Sequence, residues 1–371
     1  MMKIVTVYGT RPELIKLSEV IKKLDETFNH VLIDTGQNSD FYLNKIFLND
    51  LKIRKPNYFL RIKKTNYSDI VSQILKKIYP ILKKEKPDAF LIYGDTNSCL
   101  SSLVAKNLKI PIFHMEAGNR CYDERVPEEI NRKIIDHISD INIVLSEIAR
   151  QNLIREGIHH KNIFKSGSHM YEILNKYKKN IEANLALKKL KLKKNKYFIV
   201  SFHRAETVDN KKELGEIIET LKLISKKYSL PILISTHPRT KNKLQKHKII
   251  VKDKNIKFSK PFGFFDYINL QKNSYCVISD SGSLFEEASL LNFNAISLRN
   301  SHERYEGIEY SSIILSSIDK KNILRSLNKI KAITYYEKPK DYLGGDVSKK
   351  IVQVILSNIN RLKLKKEIGY N

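Results

Sequence analysis

Short β-branched runs alternating with longer stretches of helical spacing constrain this chain more tightly than any other feature. Strands are predicted at residues 3–8, 30–34, 89–93, 112–115 and 141–145, and apolar residues at three-to-four spacing, such as Ile15, Val20, Ile21 and Leu24, predict helices between them. That alternation is the signature of an α/β fold, a doubly wound parallel sheet with helices on both faces. A lysine-rich, weakly patterned stretch follows, and then a second series at residues 197–202, 232–235, 254–258, 275–279 and 295–298. Two doubly wound α/β domains are therefore expected, an N-terminal one over residues 1–170 and a C-terminal one over 171–346. The last helix, within 347–371, is expected to pack back on the first. Ligands of open parallel sheets bind beyond the carboxyl ends of the strands, so two such domains facing each other would make a cleft.

A chain of 371 residues is too long for one comfortable core and fits two domains. No apolar run reaches the roughly 18 residues of a membrane span, and the N-terminus enters a strand without a signal peptide's regions. Neither membrane insertion nor secretion is expected, which places the protein in the cytoplasm. Cys99, Cys121 and Cys276 are odd in number and far apart, which argues against a disulfide framework and against a zinc site. The formal charge of +27 is spread over helices and tails with no zinc-finger, helix-turn-helix or single-strand-binding signature. A nucleic-acid partner is not expected; a positive field also steers a small anionic substrate.

Several strand ends carry groups suited to such a substrate. The first strand runs into "YGTRPELIK", where Pro12 opens a helix and Arg11 and Lys16 can reach an anion near its start. This is neither G-x-G-x-x-G nor a Walker loop, so no nicotinamide or ATP is implied, and neither a cofactor nor a metal is expected. In "SDSGSLFEEASL", Ser281, Gly282 and Ser283 put small residues and unpaired N–H groups at a helix start, where a phosphate is favoured. One of Glu286 and Glu287, a turn further on, could accept from a ribose diol. "LIYGDTNS" leaves Asp95 past a strand, "IFHMEAGNR" leaves Glu116 in the same position, and "VSFHRAET" leaves His203 and Arg204 there. Catalytic groups of this architecture occupy such ends. In "VPEEINRKIIDH", Pro127 reads as the first helical residue, with Ile130, Ile134 and Ile138 as the buried stripe. Glu128 and Arg132, four apart, point away from that stripe, either as a surface ion pair or as a polar face bordering the cleft.

Taken in order, "YGTRPELIK", "GDTNS", "HMEAGNR", "VPEEINR", "SFHRAE", "STHPRT", "SDSGSLFEEAS" and "HERYEG" resemble the bacterial non-hydrolysing UDP-N-acetylglucosamine 2-epimerase family over nearly the whole chain. The resemblance implies two domains arranged as in GT-B glycosyltransferases, a UDP-sugar in the cleft, and a homodimer. It places Arg11, Lys16, Asp95, Glu116, Glu128, Arg132 and His203 around the sugar and diphosphate, with Asp95, Glu116, Glu128 and His203 as the catalytic set. It also assigns Ser281, Gly282 and Ser283 to the phosphate turn, Glu287 to the ribose, Arg304 to the substrate, and Phe262 with Tyr267 to the uracil. "GDTNSCLSS", the short connection "CYDERV", "STHPRTKN" and "PFGFFDYINLQ" look closer to one branch, the UDP-2-acetamido-2,6-dideoxy-L-talose 2-epimerases that supply UDP-N-acetyl-L-fucosamine for capsule or O-antigen. "TGQNSD" lacks the Gln-His pair that the parent family associates with a second, allosteric UDP-sugar.

The chemistry narrows the mechanism. The C2–H of an N-acetylamino sugar has no adjacent carbonyl to acidify it, so a base alone would fail. Expelling UDP from C1 acidifies that proton and leaves a 2-acetamidoglycal, to which UDP adds back after protonation from the other face. The alternatives are a UDP-N-acetylglucosamine 2-epimerase and, more remotely, a GT-B glycosyltransferase or a hydrolysing 2-epimerase.

Overall fold

The computed structural model describes residues 1–36, 41–63, 65–310, 313–330, 332 and 337–368. They divide into two compact units, one of residues 1–175 with 341–371 and the other of residues 176–340.

The first unit is built on seven parallel strands: β1 (Lys3–Tyr8), β2 (Asn29–Asp34), β3 (Tyr58–Phe59), β4 (Ala89–Tyr93), β5 (Ile112–Ala117), β6 (Ile141–Val144) and β7 (Ile163–Lys165). Their order is β3-β2-β1-β4-β5-β6-β7. Helices cover both faces, so the central strands are buried almost throughout and read as nearly continuous apolar runs, such as AFLIY in β4. Val5, Val7, Ile33, Phe90 and Ile92 face one core with Ile74, Ile78 and Leu82 of the helix Tyr67–Glu85. The C-terminal helix Val347–Ile368 belongs to this unit and packs on the helix Arg11–Thr27.

The second unit repeats the plan with β8 (Phe198–Ser201), β9 (Ile232–Ser235), β10 (Ile256–Ser259), β11 (Cys276–Ser279), β12 (Ala295–Ser297) and β13 (Ile313–Leu315), in the order β10-β9-β8-β11-β12-β13. Its strands alternate between two cores. Phe198 and Val200 pack with the helix Lys211–Tyr228, and Tyr197 and Ile199 with the helix Leu284–Leu291. Strands β3, β7 and β13 are two to three residues long and are absent from the sequence expectations.

In both sheets the strand order reverses once, between β1 and β4 and between β8 and β11. The loops leaving those strands diverge to opposite sides of the sheet and open a crevice at its carboxyl edge, where open α/β sheets take their ligands. Among the described residues no helix is long and apolar enough to cross a membrane.

Candidate active site

At the switch point of the first unit, the loops after β1 and β4 are tied together by one buried carboxylate. Glu13 accepts from the backbone N–H of Gly9 at 2.6 Å and of Thr10 at 3.2 Å, from the Thr96 hydroxyl, and from Ser98 at 3.3 Å. Burial pushes its carboxyl up to about 7, against those hydrogen bonds and with a smaller push from the Asp95 charge. Glu13 thereby sets the spacing between two loops that carry candidate substrate groups, Arg11 on one and Asp95 on the other. The Arg11 guanidinium lies 5.2 Å over the Phe47 ring.

Asp95 is held by the helix Pro127–Ile138. Arg132 grips its Oδ2 with Nε at 3.0 Å and a terminal nitrogen at 2.6 Å, while the Asn131 amide donates to the Asp95 carbonyl at 2.9 Å. The expected apolar stripe of this helix holds in part: Ile134 and Ile138 pack on the core of the first unit, and Ile130 does not. Ile130 is 50 % exposed, and the buried residues are Glu129, Asn131, Arg132, Ile135 and Asp136. Beside that apolar contact the helix also buries charged and polar side chains, because the polar chain ends it covers offer partners that isoleucine could not satisfy. Glu128 is half-buried in its first turn; Glu129 is fully buried, accepting from the N–H groups of Cys121 and Tyr122 at 3.1 Å and from Arg132 at 2.8 Å. Burial would raise the Glu129 carboxyl, but those donors hold it below the usual range. The short connection "CYDERV" is thus pinned to the helix it precedes.

Glu116 lies at the carboxyl end of β5, the strand beside β4. It adopts the left-handed conformation at φ 65°, and the pairing of β5 with β6 shifts register between Met115 and Ala117. For a residue with a side chain this costs on the order of 1–3 kcal/mol, the kind of strain that persists where it serves a site. The bulge turns the carboxylate to Lys16, whose Nζ lies 2.7 Å from Oε2, and to the Tyr93 hydroxyl, which donates to the same oxygen. Lys16, expected around the sugar and diphosphate, is buried and paired with Glu116, so its ammonium lies at the same strand end as that carboxylate. Beneath these groups a fully buried network braces β5: Asp136 binds Arg120 at 2.7 Å and His114 Nδ1 at 2.9 Å, and His114 Nε2 reaches the Gly94 carbonyl at 3.0 Å. Burial works against the Asp136 charge, yet His114 and Arg120 keep its carboxyl below the ordinary value.

The switch point of the second unit turns on Asp280, which follows β11. Its Oδ2 accepts from the backbone N–H of His203 at 2.8 Å and of Arg204 at 2.9 Å, and its Oδ1 lies 3.4 Å from His203 Nδ1. The carboxylate thus places a negative charge beside the imidazole. The turn 281–283 precedes the helix Leu284–Leu291, with the Ser281 and Ser283 hydroxyls 3.0 Å apart. A Cβ on Gly282 would come within 2.9 Å of Glu303, 3.4 Å of Arg299 and 3.9 Å of Arg204, so the bare glycine faces two guanidinium groups. Arg299 and Glu303 pair at 2.8 Å. Arg304 is only 3 % exposed and lies 2.9 Å from the fully buried Glu286, so of the two neighbouring acids Glu286 is engaged inside, while Glu287 is held by Gln271 at 2.8 Å. Phe262 and Tyr267 sit half-buried on the same core, and Tyr267 shares a 2.9 Å hydrogen bond with Ser201.

Glu13, Glu129, Asp280 and Arg299 are among the residues that the sequence reading did not assign. Each stands inside or beside a quoted motif, but what distinguishes them is burial against backbone N–H groups or a bare glycine, which spacing does not encode. Segment 37–40, which contains most of "TGQNSD", lies outside the described residues. Among the described residues no group of three His, Cys, Asp or Glu side chains is placed to hold a metal ion.

Comparison with known proteins finds relatives over nearly the whole chain. The UDP-N-acetylglucosamine 2-epimerase of Methanococcus maripaludis is 38 % identical over 363 residues, covering 96 % of this chain and 98 % of that one. The structure of the UDP-N-acetylglucosamine 2-epimerase from Rickettsia bellii is similar at 46 % identity and a TM-score of 0.90, covering 98 % of each chain. The Methanocaldococcus jannaschii UDP-GlcNAc 2-epimerase, solved in complex with UDP-GlcNAc and UDP, is similar at 34 % identity and a TM-score of 0.91, over 96 % of this chain and 100 % of that one. Residues 22–356 match the family described as UDP-N-acetylglucosamine 2-epimerase, and this chain, folded into two parallel-sheet domains, belongs to that family.

Proposed function

We propose that the chain is an isomerase that inverts C2 of a UDP-N-acetylamino sugar by eliminating UDP and adding it back. The observation that carries the reading is a pair of carboxylates at adjacent strand ends, each joined to a buried cation: Glu116 with Lys16 and Asp95 with Arg132. In the elimination the C1–O bond breaks with its electrons leaving on UDP, the C2–H electrons form the C1=C2 bond of the glycal, and a carboxylate takes the proton. In the return step a proton reaches C2 from the opposite face and a UDP oxygen re-forms the bond to C1. Asp95, Glu116 and Glu128 are assigned to the developing cation and the proton, with Arg132 holding Asp95. Arg11, Lys16, His203 and the turn of Ser281, Gly282 and Ser283 are assigned to the diphosphate, where preorganised N–H groups and cations favour the leaving charge. Phe262 and Tyr267 are assigned to the uracil and Glu287 to the ribose, with Arg304 acting through Glu286 on the same helix. The enzyme is further proposed to work as a cytoplasmic homodimer.

Relatives named as UDP-N-acetylglucosamine 2-epimerases support UDP-N-acetylglucosamine as the substrate. A second reading, UDP-2-acetamido-2,6-dideoxy-L-talose, is favoured by the short connection at residues 121–126. Proton NMR of the enzyme with each UDP-sugar alone tests both. An isomerised UDP-sugar is expected, and the faster of the two substrates decides between the readings. No reaction without an added acceptor would favour a glycosyltransferase, and free sugar with UDP would mark a hydrolysing enzyme.

A further inference from the structure

Behind Glu116 lies a line of buried side chains to which the sequence reading assigns no role. Tyr93, the last residue of β4, is 2 % exposed, and His169, at the start of the helix His169–Lys176, is 1 % exposed. Their rings meet edge to face with centroids 5.2 Å apart, and the Tyr93 hydroxyl lies 3.4 Å from His169 Nδ1. The same hydroxyl binds Glu116 Oε2, and the Lys16 ammonium, which binds that oxygen too, sits 5.7 Å from the centre of the Tyr93 ring. The groups gathered around the Glu116 carboxylate therefore come from three elements: Lys16 from the helix Arg11–Thr27, Tyr93 from β4, and His169 behind Tyr93.

The proton count orders this line. A phenol has one proton, and facing a carboxylate it donates that proton. What the Tyr93 oxygen can then offer His169 is a lone pair, so Nδ1 must carry a hydrogen. The chain reads Nδ1–H of His169 to the Tyr93 oxygen, then O–H of Tyr93 to Glu116. Such chains strengthen along their length in a buried setting. Glu116 also needs lateral support more than most carboxylates, because its backbone is held in the left-handed region and its side chain springs from a bulge. A proton transfer at carbon is sensitive to small misplacements of the group that performs it.

We infer that Tyr93 is a positioning residue for Glu116 and that His169, as its Nδ1–H tautomer, positions Tyr93. The inference rests on the proposed role of Glu116 at the sugar, and its tests are chosen to separate the two. Tyr93→Phe keeps the ring and its packing but removes the hydroxyl. It is expected to lower kcat by about tenfold to a hundredfold while KM for the UDP-sugar stays within about threefold. A fall in KM and kcat together, or an unchanged kcat, would overturn it. His169→Asn keeps a donor near the Nδ1 position and is expected to retain kcat within about threefold, whereas His169→Leu is expected to lose about tenfold. Equal loss in both would mean that His169 only fills space. A readout independent of turnover is the 15N spectrum of the imidazoles in the full chain, with the His169 signals identified by their absence in His169→Asn. The Nδ1–H tautomer is expected in the unmutated protein, with its Nδ1 resonance displaced in Tyr93→Phe. An Nε2–H tautomer would refute the inference. Failure of the unmutated enzyme to turn over any UDP-N-acetylamino sugar would instead refute the proposed function, leaving the tautomer result to judge the hydrogen-bonded line by itself.

Discussion

Replacing Glu13 by Gln tests how the two loops of the first unit are joined. Burial raises the Glu13 carboxyl from 4.5 to about 7, so the folded protein holds this proton more tightly than the unfolded chain does. By linkage, the stability contributed by the group is complete below about pH 4.5 and is lost as pH rises towards 7. Over the window from pH 5 to pH 7 the proton is retained by the native state and largely released by the unfolded one. At about 1.4 kcal/mol for each unit, allowing for partial titration at both ends, the loss comes to about 2 kcal/mol. A glutamine at this position does not titrate, so whatever constant penalty it carries, the stability advantage of the unmutated protein over Glu13→Gln should shrink by that amount between pH 5 and pH 7. The chain has no tryptophan, which makes urea unfolding followed by far-ultraviolet circular dichroism the suitable assay. A gap that stays constant or widens with pH would refute the reasoning, because it would mean that Glu13 is ionised in the fold and held by its four donors at no net cost.

Other substitutions probe the remaining supports. Asp136→Ala leaves Arg120 and His114 buried without their shared acceptor, and chemical denaturation should register a loss of about 3–5 kcal/mol. Gly282→Ala brings a methyl group against the ends of the Glu303 and Arg299 side chains, which can move aside, so a thermal midpoint within a few degrees should accompany a weakening of UDP binding by about tenfold or more in calorimetry. Asp280→Asn keeps the acceptor for the two backbone N–H groups but removes the charge beside His203, and kcat should fall more than UDP affinity.

The two sheets were legible in the sequence because parallel strands buried on both faces leave runs such as KIVTVY and AFLIY that no amphipathic helix would produce. The helix Pro127–Ile138 marks where that reasoning stops. Its start is readable from Pro127, and Ile134 and Ile138 do pack on the core as periodicity expects, but the fold also buries Glu129, Arg132 and Asp136 and leaves Ile130 half exposed. A hydrophobic period assumes that the neighbour is apolar. Here part of the neighbour is a set of strand ends with a carboxylate and backbone polar groups, which offsets the burial of charge with ion pairs. The same limit hides the partners of Glu116. Its place at a strand end is visible, but the left-handed turn at that residue and the approach of Tyr93 and His169, 76 residues apart, arise from tertiary packing.

The central claim is that C2 loses and regains its proton while UDP is detached. The most direct measurement is turnover of UDP-N-acetylglucosamine by the purified chain in D2O, with the isomers resolved by NMR. Deuterium at C2 of the product UDP-sugar, a transient 2-acetamidoglycal with free UDP, and strongly reduced incorporation in Glu116→Gln are expected. Product that keeps the original hydrogen at C2 in every turnover would contradict the account.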